Sequence, residues 1–99
     1  MNEKETPKAK AHSRRSGVEF IMVDVELAFT FLEVARTSTV PATAKRNQKN
    51  ARAAYDSILR LLPRSMAAFS VAEQMALHRK LEELKSRLKH LGESFDSSN

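Results

Sequence analysis

The chain reads as an all-α protein, a small three-helix bundle (helical hairpin plus third helix) with a disordered basic N-terminal arm and a short polar C-terminal tail. Three observations predict this. Two glycines and three prolines in 99 residues leave little material for strands joined by tight turns. Apolar residues recur at steps of three and four through three separate segments. Those segments are divided by breakers, Thr-Ser-Thr-Val-Pro at 37–41 and Pro63 further on. The expected organisation is an arm over 1–16, one helical domain over 17–92 with helices at about 18–36, 41–62 and 70–91, and a tail over 93–99.

Met1 to Ser16 hold no large apolar side chain after Met1 and are rich in Lys, Arg, Ser and Glu. Such a segment has nothing to bury that would offset the entropy of ordering. Glu93 to Asn99 is read as a frayed tail for the same reason, with Phe95 its one apolar residue.

The first helix contains no Gly or Pro between Val18 and Arg36, and its polar residues Glu19, Glu26, Thr30 and Glu33 gather on one side. Val23 to Leu27 does alternate like a strand, but the apolar run that follows has helical spacing. Ile21, Val25, Ala28, Leu32 and Ala35 form one apolar stripe, and Phe20, Leu27, Phe31 and Val34 form a second beside it. Together they cover roughly 220° of the circumference, where a one-sided surface helix needs only about 100°. This helix is therefore expected either to sit between the other two or to present a leftover stripe to a partner, with Phe20, Leu27 and Phe31 as the candidate apolar interface. Asp24 falls inside the apolar arc. A carboxylate there predicts a buried ion pair or cap interaction, with an arginine such as Arg60 or Arg64 as its counterpart, the alternative being a binding pocket in which Asp24 holds a cationic group.

Pro41 suits the first turn of the second helix, where its missing N–H is not needed, and Pro63 is expected to stop it at Leu62. The inner face reads Ala44, Ala51, Tyr55, Ile58 and Leu62. The run Ala-Tyr-Asp-Ser-Ile-Leu-Arg-Leu-Leu-Pro, with Ala51, Tyr55, Ile58 and Pro63 at their spacing, resembles the second helix of a tetratricopeptide repeat, which implies hairpin packing and protein or peptide binding. The resemblance covers about thirteen residues, the repeat's first helix would fall on Pro41 and the Thr-Ser-Thr run, and no second repeat follows, so no family is assigned.

Ser70 and Glu73 have the spacing of a capping box that opens the third helix. Leu77, Leu81, Leu84, Leu88 and Leu91 then alternate steps of four and three, and Gly92 supplies the stop. Two heptads are too short for an independent coiled coil, so this seam is expected to pack within the chain.

Composition excludes several functions. The absence of cysteine removes disulfides, thiolate metal sites and cysteine nucleophiles, and fits a reducing, cytoplasmic setting. No apolar stretch approaches the ~18 residues of a membrane span. Ser13, Arg14 and Arg15 precede an apolar segment as in a twin-arginine export signal, but Glu19, Asp24, Glu26 and Glu33 interrupt that segment. Serine, histidine and aspartate are not ordered as a triad, and His78 with Glu82 makes two ligands where a metal site needs more. No catalytic residue, cofactor, metal or small-molecule substrate is predicted.

Net charge is +5, and its distribution says more than its size. Residues 17–36 carry four carboxylates against Arg36 alone, whereas residues 37–63 carry five cations against Asp56 alone. Lys45, Arg46, Lys49, Arg52 and Arg60 make a candidate basic surface. In an antiparallel hairpin Glu33 would meet Lys45 and Glu19 would meet Arg60, so these cations are expected either to be paired internally or to bind an anionic ligand. The reading is a non-enzymatic protein–protein interaction or self-association module, with a protein partner or homo-oligomer as its contact. The alternative is a nucleic-acid-associated protein that binds through the basic second helix and the N-terminal arm.

Overall fold

In the computed structural model, which describes residues 2–95 and the side chains from Ser16 onward, three α-helices follow one another with one 3₁₀ turn and no strand. They are α1 (Asn2–Thr37), α2 (Pro41–Ser65) and α3 (Val71–His90), and the 3₁₀ turn is Met66–Ala68. α1 and α2 form a close antiparallel hairpin, and α3 packs more sparsely across both. None of these helices is long and apolar enough to cross a membrane.

α1 buries Val18, Ile21, Val25, Ala28, Leu32 and Ala35 along a single face. The steps of three and four are those that keep side chains on one side of a 3.6-residue helix. Gly17 lies where α1 passes the end of α2, and a Cβ there would stand 3.2 Å from Ser65 Oγ. The helix begins well before Gly17, inside the segment read as an arm. A composition poor in apolar groups argues against burial and not against helix, since Lys, Glu, Ala and Arg propagate a helix already nucleated by the buried turns. The side chains of that arm and residues 96–99 of the tail lie outside the described residues.

The connection is short because Val40 is extended (φ −100°, ψ 111°), as the residue before a proline must be. Its N–H donates to Ser38 Oγ at 3.1 Å. α2 then buries Ala51, Tyr55 and Ile58. It does not stop at Leu62. Pro63 sits inside it, and the helix continues to Ser65 before the 3₁₀ turn. The reason is position: Pro63 forfeits only one bond, to the carbonyl of Leu59, and both residues lie on the exposed side of the last turns of the helix.

Phe69, buried to 4% exposure, anchors the turn into α3. Ser70 Oγ accepts the Glu73 N–H at 3.1 Å, and the Ser70 N–H donates to Glu73 Oε1 at 2.9 Å, completing the capping box. Leu77, Leu81, Leu84 and Leu88 face the core. At the far end Gly92 adopts φ +101°, a conformation that disfavours any residue with a Cβ. The Gly92 N–H reaches Lys89 O at 2.9 Å and the Glu93 N–H reaches Leu88 O at 3.0 Å, the paired bonds of a Schellman motif.

That turn sends the chain back onto α2, where the sequence pattern predicts a frayed tail. Arg52 explains the difference. Its Nη1 donates to Glu93 Oε1 at 3.1 Å and to Ser94 O at 2.7 Å, while its Nε faces both oxygens of Asp56. Gln48 Nε2 donates to Glu93 Oε2 at 2.7 Å. The guanidinium lies 4.1 Å over the Phe95 ring, which meets Tyr55 edge-on at 5.4 Å. A charged fork, an aromatic edge and a carboxylate thus hold three residues that have no helix of their own.

Candidate functional site

α1 is apolar on two adjacent stripes, and its neighbours cover one. The outward stripe consists of Phe20 at 57% exposure, Val23 at 66%, Leu27 at 43% and Val34 at 36%. On a wheel of 100° per residue its axis lies roughly 130° from the centre of the buried stripe, so it faces away from α2 and α3. Phe31 stands between the two: it is half-buried and packs on the core while bordering the outward stripe. Phe20 and Leu27 are fully part of the exposed surface. Val23, on the same side, extends the exposed row beyond the residues expected from the sequence. The first helix is therefore not sandwiched between the other two, since α2 and α3 share one of its faces.

Carboxylates rim this stripe on both edges. Glu19 and Glu26 follow one edge and Asp24 the other, and no cation occurs from Gly17 to Ala35. Glu26 accepts from Lys80 of α3 at 2.6 Å. Glu33 pairs with Arg36 one turn on, and that hydrogen bond, followed by the guanidinium charge, holds its carboxyl below the usual range. Asp24 forms no buried ion pair among the described residues. It is only half-buried, keeps contact with water, and so requires no counter-ion from Arg60 or Arg64.

The basic surface of α2 divides in two. Arg52 belongs to the clamp on the tail and is 27% exposed. Lys45, Arg46, Lys49 and Arg60 are exposed. Arg46 approaches Thr43 Oγ1 at 3.4 Å and Arg60 donates to Ser57 Oγ at 3.0 Å. The expected pairing of Glu33 with Lys45 and of Glu19 with Arg60 does not form among the described residues, because the buried face of α1 turns Glu26 and Glu33 toward α3 and toward its own last turn.

A groove of about 710 Å³ lies between the C-terminal halves of α1 and α3, floored by Leu32 and Leu91. Its charges pair along their own helices, Glu33 with Arg36 and Glu83 with Arg87, and His90 Nδ1 is engaged with Ser86 O at 2.9 Å. Among the described residues no group of three His, Asp or Glu side chains is placed to hold a metal ion, and no buried side-chain polar atom lacks a partner. His78 is exposed beside Glu82. The most perturbed aromatic group is Tyr55, whose phenol is pushed up by burial and then by the charges of Glu82 and Asp56.

Arg52, Gln48 and Phe95 form the arrangement that sequence reasoning missed. Its one visible signal is Phe95, an aromatic residue three positions beyond a helix-ending glycine. Comparisons with protein-family models, curated proteins and solved structures give no match.

Proposed function

We propose that this chain is a non-enzymatic, cytoplasmic interaction module that binds another protein, or itself, through the outward stripe of α1. The observation that carries this reading is the exposure of Phe20, Val23, Leu27 and Val34 along one helix face. Single exposed apolar residues are ordinary, but a contiguous row that follows the helix axis marks a contact surface. Replacement of Phe20 and Leu27 together by Gln tests it. The native chain is expected to retain a partner in affinity capture, or to grow in size with concentration by light scattering, and the variant to lose that behaviour while keeping its helicity. A native chain that is strictly monomeric and captures nothing the variant does not would contradict the reading.

The alternative, association with nucleic acid, is favoured by Lys45 and Lys49, which are exposed and form no ion pair among the described residues. Binding of DNA or RNA that weakens steeply with salt, and that weakens further for the Lys45→Ala, Lys49→Ala pair, supports it. No retention on DNA at low salt removes it.

A further inference from the structure

The chemistry of the partner follows from the rim of the stripe. Resting on the reading of α1 as a contact surface, we infer that the occupant is a basic amphipathic helix of another protein, whose apolar face covers Phe20, Val23, Leu27 and Val34 and whose lysines or arginines meet Glu19 and Asp24.

Three observations point there. Phe20, Leu27 and Val34 repeat every seven residues, with Val23 and Phe31 between them, which is the spacing by which one helix seats knobs against another in side-by-side packing. The carboxylates occupy the flanking positions that set partner choice in such pairs, with Glu19 and Glu26 on one edge, Asp24 on the other, and no cation from Gly17 to Ala35. Glu19 and Asp24 form no ion pair among the described residues, so their charge is available to an incoming cation. Finally, the stripe consists of four partly exposed side chains on one helix face, far fewer than the roughly 20–30 residues a side of a standard stable interface. A surface of that size suits one docked helix assisted by charge.

A second copy of this chain fits less well. Laying the stretch from Gly17 to Ala35 on the same stretch of a second copy, parallel or antiparallel, sets carboxylates against carboxylates, because every charge within it has the same sign. An anionic lipid surface or nucleic acid meets the same repulsion. The net charge of +5 does not reverse this, since attraction at the stripe is decided within the Debye length of about 8–10 Å. It does make the test stringent, because the net positive charge repels a basic probe and attracts its acidic counterpart.

The probe is a fluorescently labelled synthetic helix with leucine at the first and fourth heptad positions and lysine elsewhere, compared with the same helix carrying glutamate in place of lysine. Titration with the full chain, followed by anisotropy, is expected to show the lysine helix bound at least about tenfold more tightly, with the preference weakened by salt. The Glu19→Lys, Asp24→Lys pair is expected to reverse the preference, and the Phe20→Gln, Leu27→Gln pair to abolish binding of both helices, with circular dichroism confirming that each variant is folded. Equal binding of the two helices, or a preference untouched by charge reversal, overturns the basic partner while leaving the stripe as a contact surface. Failure of both helices, with growth of the chain's own size on concentration, overturns it in favour of a second copy. Failure of both with a strict monomer overturns the contact surface as well.

Discussion

The two apolar stripes of α1 are built from the same kinds of residue and meet opposite fates. Ile21, Val25 and Leu32 are almost wholly buried, whereas Phe20, Val23 and Leu27, each one or two positions away in sequence, stand in water. Hydrophobicity does not separate them. What separates them is where the neighbours pack: among the described residues α2 and α3 cover the face of Ile21, Val25 and Leu32, and neither covers the other face. An exposed apolar row of this kind is the observation on which the proposed contact surface rests.

The largest expected effect tests whether the two stripes differ as described. Ile21→Ala removes a fully buried side chain and should cost about 2–5 kcal/mol of unfolding free energy in urea titration, whereas Leu27→Ala should cost under about 1 kcal/mol. Equal losses would erase the distinction. A middle-sized effect concerns Arg52, the cation of α2 that holds the tail. Arg52→Ala should lose about 1–3 kcal/mol through the bonds to Asp56, Glu93 and Ser94, and should raise amide exchange at Ser94 and Phe95. Lys49→Ala should change stability by less than about 0.5 kcal/mol. If the two substitutions behaved alike, the clamp would not be a structural device.

The smallest effect reports on the buried side alone. Burial, followed by the charges of Glu82 and Asp56, raises the Tyr55 phenol above its ordinary pKa of 10.0. Its neutral form is therefore favoured by folding. The contribution is complete below pH 10.0 and is lost as pH rises through the raised value. Phenolate absorbance during alkaline titration should show ionisation later in the folded chain than in urea. A coincident titration would place Tyr55 outside the core.

Much of the fold was legible because local rules and packing agree. The capping box at Ser70, the leucine seam of α3 and the stop at Gly92 each follow from residues near in sequence, and each forms as the pattern predicts. Pro63 defied its rule because the cost of a proline depends on whether the orphaned carbonyl meets water, which is a tertiary fact. The pairing of Glu26 with Lys80 of α3 was equally out of reach, since it depends on how α1 is rotated about its axis. The same rotation decided which stripe became core, and hence what became of Asp24 and Phe31. Phe95 looked like a lone apolar residue in a tail because its partners, Arg52 and Tyr55, lie more than a helix away along the chain. The candidate interface was thus visible as an apolar surplus on α1, and Phe20, Leu27 and Phe31 follow from the second stripe of the helical wheel.

The most direct test of the central claim is photo-crosslinking from within the stripe. With a benzophenone amino acid in place of Leu27 in the full chain, irradiation in a cell lysate is expected to give a covalent adduct with a second polypeptide, absent when Phe20 is also replaced by Gln. A probe that links only within its own chain, or forms the same adducts with and without Phe20, would contradict the claim that the outward face of α1 is where this protein meets its partner.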